Sequence, residues 1–262
     1  MSRSREESLG SGHESSHASG EAEAVQERKA AAQPWDRTRR LVYLHGFRSS
    51  PASFKAGLFR NWFEQHACSD CFVCPQIPAA PREAIAMLEH ALQLTHRDVL
   101  VGSSLGGLYA HWLAEAHGCC AILLNPAVYP SRDLAHHIGS VQAWHSTERF
   151  TWRSEDVDAL RDLELVPVTW AKRYLLIAAT GDEVIDWRLM ASRYADCSQI
   201  IIEGSNHALE GFEAYLDRVI RFALFCDLPP REAESRNTPD TIHAPCPQPS
   251  QFDHRSESET TP

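Results

Sequence analysis

Long apolar stretches are missing from this 262-residue chain. No run approaches the ~18 residues that a membrane-crossing helix needs, so no membrane span is expected. The opening MSRSREESLGSGHESS also lacks the apolar stretch of a secretory signal, and a cytoplasmic location is the expectation that follows. Positive charge is in short supply as well. The chain carries 25 Lys and Arg against 35 Asp and Glu, and residues 37–228 have a net charge of −4. That balance offers no cationic footprint for a phosphate backbone and excludes nucleic acid as the main partner. The Arg37, Arg39, Arg40 group reads as a solvated lead-in to the first strand.

Core-forming side chains are scarce at both ends. Residues 1–36 hold ten hydrophobic residues, six of them Ala, and residues 229–262 combine seven prolines with only five hydrophobic residues. Neither segment can bury enough apolar surface to offset the entropy of ordering it. Both are expected to be disordered tails around a single domain at 37–228, which is long enough to bury about 70% of its unfolded surface. The eight cysteines, with no secretory leader in view, are expected as reduced thiols rather than a disulfide framework.

Within the domain, six β-branched or Leu-rich runs stand out, at 40–44, 71–77, 98–102, 120–124, 173–179 and 198–203. Their near-continuous apolar character predicts strands buried on both faces. Helical periodicity fills most of the gaps. Ser50-Pro51 reads as an N-cap and first helical position ahead of Phe54, Leu58 and Trp62 on one face. Similar spacing recurs at 82–95, 105–116 and about 210–226. The alternation predicts an α/β fold, a mostly parallel sheet of about six strands with helices on both faces. The interval between the fourth and fifth strands breaks the rhythm. Its core, 131–170, reads as a helical or irregular insert rich in aromatics (Trp144, Phe150, Trp152, Trp170). It is placed either to cap a ligand crevice or to pack as a satellite layer on the main core.

The chemistry concentrates at Gly102-Ser103-Ser104-Leu105-Gly106, with a predicted strand before it and a predicted helix after it. That is the context of a nucleophile elbow, in which a tight strand-to-helix turn holds the serine out over the sheet. The sequence has neither the Lys-Ser/Thr ending of a phosphate-binding loop nor the G-x-G-x-x-G spacing at this point. A serine needs a base held by a third group, and in this arrangement the acid and the histidine follow later strands in that order. Asp182, Glu183 and Asp186 follow the fifth strand, and His207 follows the sixth. Asp186 directly precedes a helical stretch and reads as its N-cap, so Asp182 is the preferred acid. The loop after the first strand, His45-Gly46-Phe47, would supply one oxyanion-hole amide at Phe47, and Leu105 the other. His45 itself reads as structural.

In order and spacing, YLHGFRSSP, VGSSLGG, LNPA, TGDEVIDWR and EGSNHALEGFE resemble the YqiA-type esterases, the UPF0227 branch of the α/β-hydrolase superfamily. The resemblance runs from about Leu41 to Phe225. It implies a compact α/β-hydrolase fold, Ser104 as nucleophile, Asp182 as acid, His207 as base, and action on small-molecule acyl esters or thioesters. An acyltransferase using the same triad and a catalytically silent hydrolase-fold binding module are the alternatives, whereas a dehalogenase is disfavoured by serine at the elbow. The run Cys68-x-x-Cys71-x-x-Cys74 has metal-like spacing but no second knuckle, and 71–77 reads as a strand that would turn Cys71 and Cys74 to opposite sides. No metal and no cofactor are expected.

Overall fold

The computed structural model describes residues 34–142 and 149–226. Eight strands appear among them: β1 Leu41–Leu44, β2 Phe72–Val73, β3 Val99–Ser103, β4 Cys120–Leu124, β5 Gly139–Gln142, β6 Arg149–Trp152, β7 Tyr174–Ala179 and β8 Ser198–Ile202. Six of them form one sheet in the order β2-β1-β3-β4-β7-β8, with every neighbouring pair parallel. The helices are α1 Phe54–Gln65, α2 Pro81–Leu92, α3 Leu105–His117, α4 Pro130–Asp133, α5 Ser154–Glu164, α6 Trp187–Arg193 and α7 Leu216–Phe225.

Strand alternation feeds two cores. Val42, Leu44, Leu100, Leu123 and Leu176 pack on one face with the inner sides of α2, α3 and α5. Leu41, Tyr43, Val101, Ile122 and Ile177 pack on the other with α1 and α7. Successive side chains point to opposite faces, so a strand covered on both sides has to be apolar throughout. The chain reverses its direction across the sheet at β1, which lies between β2 and β3. The carboxyl ends of β1 and β3 therefore flank a crevice of the kind in which open α/β sheets bind ligands.

Several expectations need correction. Trp35, assigned above to the N-terminal tail, is buried edge-on against Phe63 with ring centroids 4.9 Å apart, and its Nε1 donates to the Arg39 carbonyl. Arg39 and Arg40 are not a solvated lead-in. Arg39 is buried and donates to the Arg97 and Leu224 carbonyls, while Arg40 grips both oxygens of buried Asp98 at 2.9 Å. The run 71–77 is a strand only over Phe72–Val73, because Cys71 ends a 3₁₀ turn and Pro75 and Pro78 have no N–H for a ladder. The first helix begins at Phe54, since Ser50 to Ser53 close a separate turn, and Phe54 is left 63% exposed while Ala56, Phe59 and Phe63 face the core.

The cysteine expectation is also corrected. Cys68 is paired with Cys71, and Cys120 with Cys226. The second pair joins the start of β4 to the end of α7, a neighbourhood that only the folded chain creates. The insert after β4 has the expected helical content in α4 and α5, with an antiparallel β5–β6 pair between them that was not expected. Its aromatics have different surroundings. Trp152 is buried and sits 4.9 Å from Phe47 in the loop after β1, with Phe150 at 5.7 Å, whereas Trp170 lies under Arg173. Trp144 and nearly all of both expected tails lie outside the described residues. Among those described, no helix is long and apolar enough to cross a membrane.

Candidate active site

Ser104 stands between β3 and α3 with φ 56° and ψ −122°, a left-handed conformation that side chains avoid and that concentrates at functional turns. The neighbouring glycines make that turn possible. A Cβ on Gly102 would lie 2.2 Å from the Gly106 carbonyl oxygen, and one on Gly106 would lie 2.1 Å from that of Leu44. Two backbone hydrogen bonds fix the turn to the end of β4: Ser104 N–H to the Leu124 carbonyl, and Ala127 N–H to the Ser104 carbonyl.

Three side chains then meet in one line. His207 Nε2 is 3.0 Å from Ser104 Oγ, and His207 Nδ1 is 2.8 Å from Asp182 Oδ2. An ionised carboxylate can only accept, so Nδ1 carries the proton and Nε2 is free to accept from the serine hydroxyl. The Asp182 side chain is fully buried and that of His207 is 21% exposed. Asp182 Oδ1 accepts the Val184 and Ile185 amides at 2.8 Å, which orients the carboxylate toward the imidazole. The other two acids of this loop lie elsewhere. Glu183 accepts the backbone N–H of His207, and Asp186 caps α6 by accepting the Arg188 amide.

The loop after β1 reaches the same point. A Cβ on Gly46 would lie 3.0 Å from Ser104 Cβ and 3.5 Å from its Oγ, so glycine is what allows so close an approach. Phe47 follows directly. Leu105 is the first residue of α3, and its amide is among the four that a helix leaves without an intrahelical acceptor. Buried His45 accepts the Ile77 amide at Nε2 and therefore donates from Nδ1 to the Gly46 carbonyl, which secures the loop. Burial holds its pKa below the usual histidine value.

Residues 40–224 match a family described as the uncharacterised protein family UPF0227. The chain belongs to UPF0227. Two solved structures place its fold among the α/β hydrolases. A protein of Agrobacterium vitis S4, described as a candidate hydrolase, superposes with a TM-score of 0.54 at 15% identity, covering 73% of this chain and 90% of that one. The mouse α/β-hydrolase domain-containing protein 10 gives 0.52 at 15% identity, covering 69% and 88%. Likenesses at this identity establish the fold alone.

This UPF0227 chain also has site residues that the sequence did not single out. Asn125, fully buried at the end of β4 with φ 42°, accepts the Ala179 amide at its Oδ1 and donates from Nδ2 to the carbonyls of Asn206 and His207. It ties β4, β7 and the histidine loop together. The signal for it was a polar side chain ending the apolar run CAILL, where burial demands hydrogen-bond partners. Lys55 of α1 donates to the Ala208 carbonyl at 2.8 Å. Burial pushes its pKa down to about 8, against the pull of the Asp182 charge. Nothing in an amphipathic helix marks one lysine for that contact. Arg48, Ser104, Asn125, Ser205 and Leu209 all have positive φ, so backbone strain gathers around this one edge of the sheet.

Proposed function

We propose that the protein is a serine hydrolase of small-molecule acyl esters or thioesters, working through an acyl-serine intermediate. Ser104 is the nucleophile and His207 the base. Asp182 orients and electrostatically supports the imidazole, and the Phe47 and Leu105 amides receive the oxyanion. The observation that carries this reading is the line of hydrogen bonds from a buried carboxylate, through an imidazole, to a hydroxyl on a strained turn.

His207 Nε2 takes the hydroxyl proton as Ser104 Oγ bonds to the acyl carbon, and the carbonyl π electrons move onto oxygen. Two preoriented amides stabilise that oxyanion, each typically worth a factor of ~10²–10³ in rate. As the carbonyl re-forms, the bond to the leaving alcohol or thiol breaks, and His207 hands it the proton. Water then attacks the acyl-enzyme, gives a proton to His207 and releases the acid, and the proton returns to Ser104.

A fluorophosphonate probe followed by peptide mapping tests the reading. A single adduct on Ser104, formed in parallel with loss of p-nitrophenyl butyrate hydrolysis, is the expected result. Hydrolysis that survives complete modification of Ser104 contradicts it.

A further inference from the structure

A cavity of about 340 Å³ lies next to the turn that carries Ser104, walled by the loop after β1, the segment after β2, the start of α3, and β6. Its size is that of a small-molecule site. Gly46, Phe47 and Leu105, the neighbours of Ser104, border it, whereas Ser104, His207 and Asp182 are not among its lining residues. In the reaction proposed above, on which this inference rests, the leaving group takes its proton from His207 and so departs on the histidine side. The cavity is then left for the acyl group.

Its walls combine two kinds of chemistry. Phe47, Ile77, Pro78, Leu105 and Phe150 give an apolar lining suited to methylenes, whereas Arg48 and Arg149 bring guanidinium groups. No Asp or Glu is among the described residues that border it. Arg149 is held in a set orientation, its Nε 2.8 Å from Ser140 Oγ and its Nη2 3.0 Å from the Ser140 carbonyl oxygen. Neither partner is a carboxylate, so these bonds leave its charge unneutralised. Arg48 donates from Nε to the Gln142 carbonyl at 2.5 Å, and Gln142 stands opposite Arg149 in the β5–β6 register. Arg48 thus meets β5 at Gln142 and Arg149 meets it at Ser140, and both cations border one cavity whose other walls mix apolar side chains with Ser49, Gln76 and Tyr109.

We propose that the cavity selects acyl groups ending in a carboxylate, which pairs with Arg149 and Arg48, so that the preferred substrates are half-esters of dicarboxylic acids. A guanidinium fork matches a carboxylate in shape as well as charge, and a charge-assisted pair with Arg149, which is exposed at the rim of the cavity, favours a carboxylate over a neutral end group.

The test compares monoethyl esters of the dicarboxylic acids from succinate to suberate with ethyl esters of monocarboxylic acids of equal chain length. At the best length the half-ester should exceed its neutral counterpart by about tenfold or more in kcat/KM. That ratio should fall at least severalfold in Arg149→Gln and invert in Arg149→Glu. It should hold in Arg188→Gln, which changes an exposed arginine on α6. Hydrolysis of the neutral esters with no preference for the half-esters overturns this inference and leaves the serine-hydrolase reading standing. Hydrolysis of neither series, with Ser104 unreactive to the fluorophosphonate, overturns both.

Discussion

The side-chain amide of Asn125 lies 3.1 Å from the Asn206 carbonyl oxygen and 3.2 Å from that of His207. One buried side chain at the end of β4 thus sets the height of the loop that carries the imidazole. Asn125→Asp keeps the acceptor for the Ala179 amide but turns a carboxylate toward two carbonyls. It should lower kcat by about 10–100-fold with little change in KM, because small misplacements of a reacting group carry penalties of that order. Thermal unfolding measured beside the kinetics separates this effect from a general loss of stability. An unchanged kcat would show that the loop holds its position without Asn125.

The three acids of the loop after β7 should differ sharply. Asp182→Asn presents an amide to Nδ1 and favours the wrong imidazole tautomer, which in a working Ser-His-Asp triad costs about 10⁴ in kcat. Glu183→Gln still accepts the His207 amide, and Asp186→Asn still caps α6, so each should stay within about threefold of the parent. Steady-state kinetics on p-nitrophenyl butyrate decide the matter, and a severe Asp186→Asn with a mild Asp182→Asn would reverse the assignment.

Gly46→Ala places a methyl group 3.0 Å from Ser104 Cβ. Either the loop after β1 or the serine must shift, and the proposed oxyanion donors lose their alignment with the proposed nucleophile. The expected result is a loss of at least tenfold in kcat with only a small change in melting temperature. Retention of full activity would show that the Phe47 amide does not need this approach.

Acid stability offers a separate check. His111 of α3 is fully buried, with Nε2 3.0 Å from the Val166 carbonyl oxygen, and burial pushes its pKa down to about 4. An unfolded chain protonates histidine near ~6.5. Between those values the unfolded state binds a proton that the folded state refuses, so stability is complete above about 6.5 and falls as the pH drops toward 4. His111→Gln should flatten the dependence of melting temperature on pH in that window. An unaltered slope would mean that other groups govern acid unfolding.

Much of the architecture was legible because each central strand is covered on both faces and must be apolar at every position, as in CAILL and YLLIAA. The same regularity places the segments carrying Ser104, Asp182 and His207 at the carboxyl ends of parallel strands, and so at one edge. What stayed hidden depends on contacts between distant segments. Trp35 looks like an isolated aromatic until α1 supplies Phe63, and Cys226 has no visible partner until α7 packs beside β4. The strands β5 and β6 have four residues each, too few for a period to emerge. Asn125 lies within LNPA, but its role is visible only once β7 and the histidine loop arrive around it.

The most direct measurement is kcat/KM for p-nitrophenyl butyrate with Ser104→Ala, taken beside the parent protein and verified as folded by its melting temperature. Removing one hydroxyl leaves Asp182, His207 and the oxyanion amides in place. The account predicts a fall of at least ~10³-fold, toward the residual rate that binding and the oxyanion hole alone sustain. A rate equal to that of the parent would contradict it.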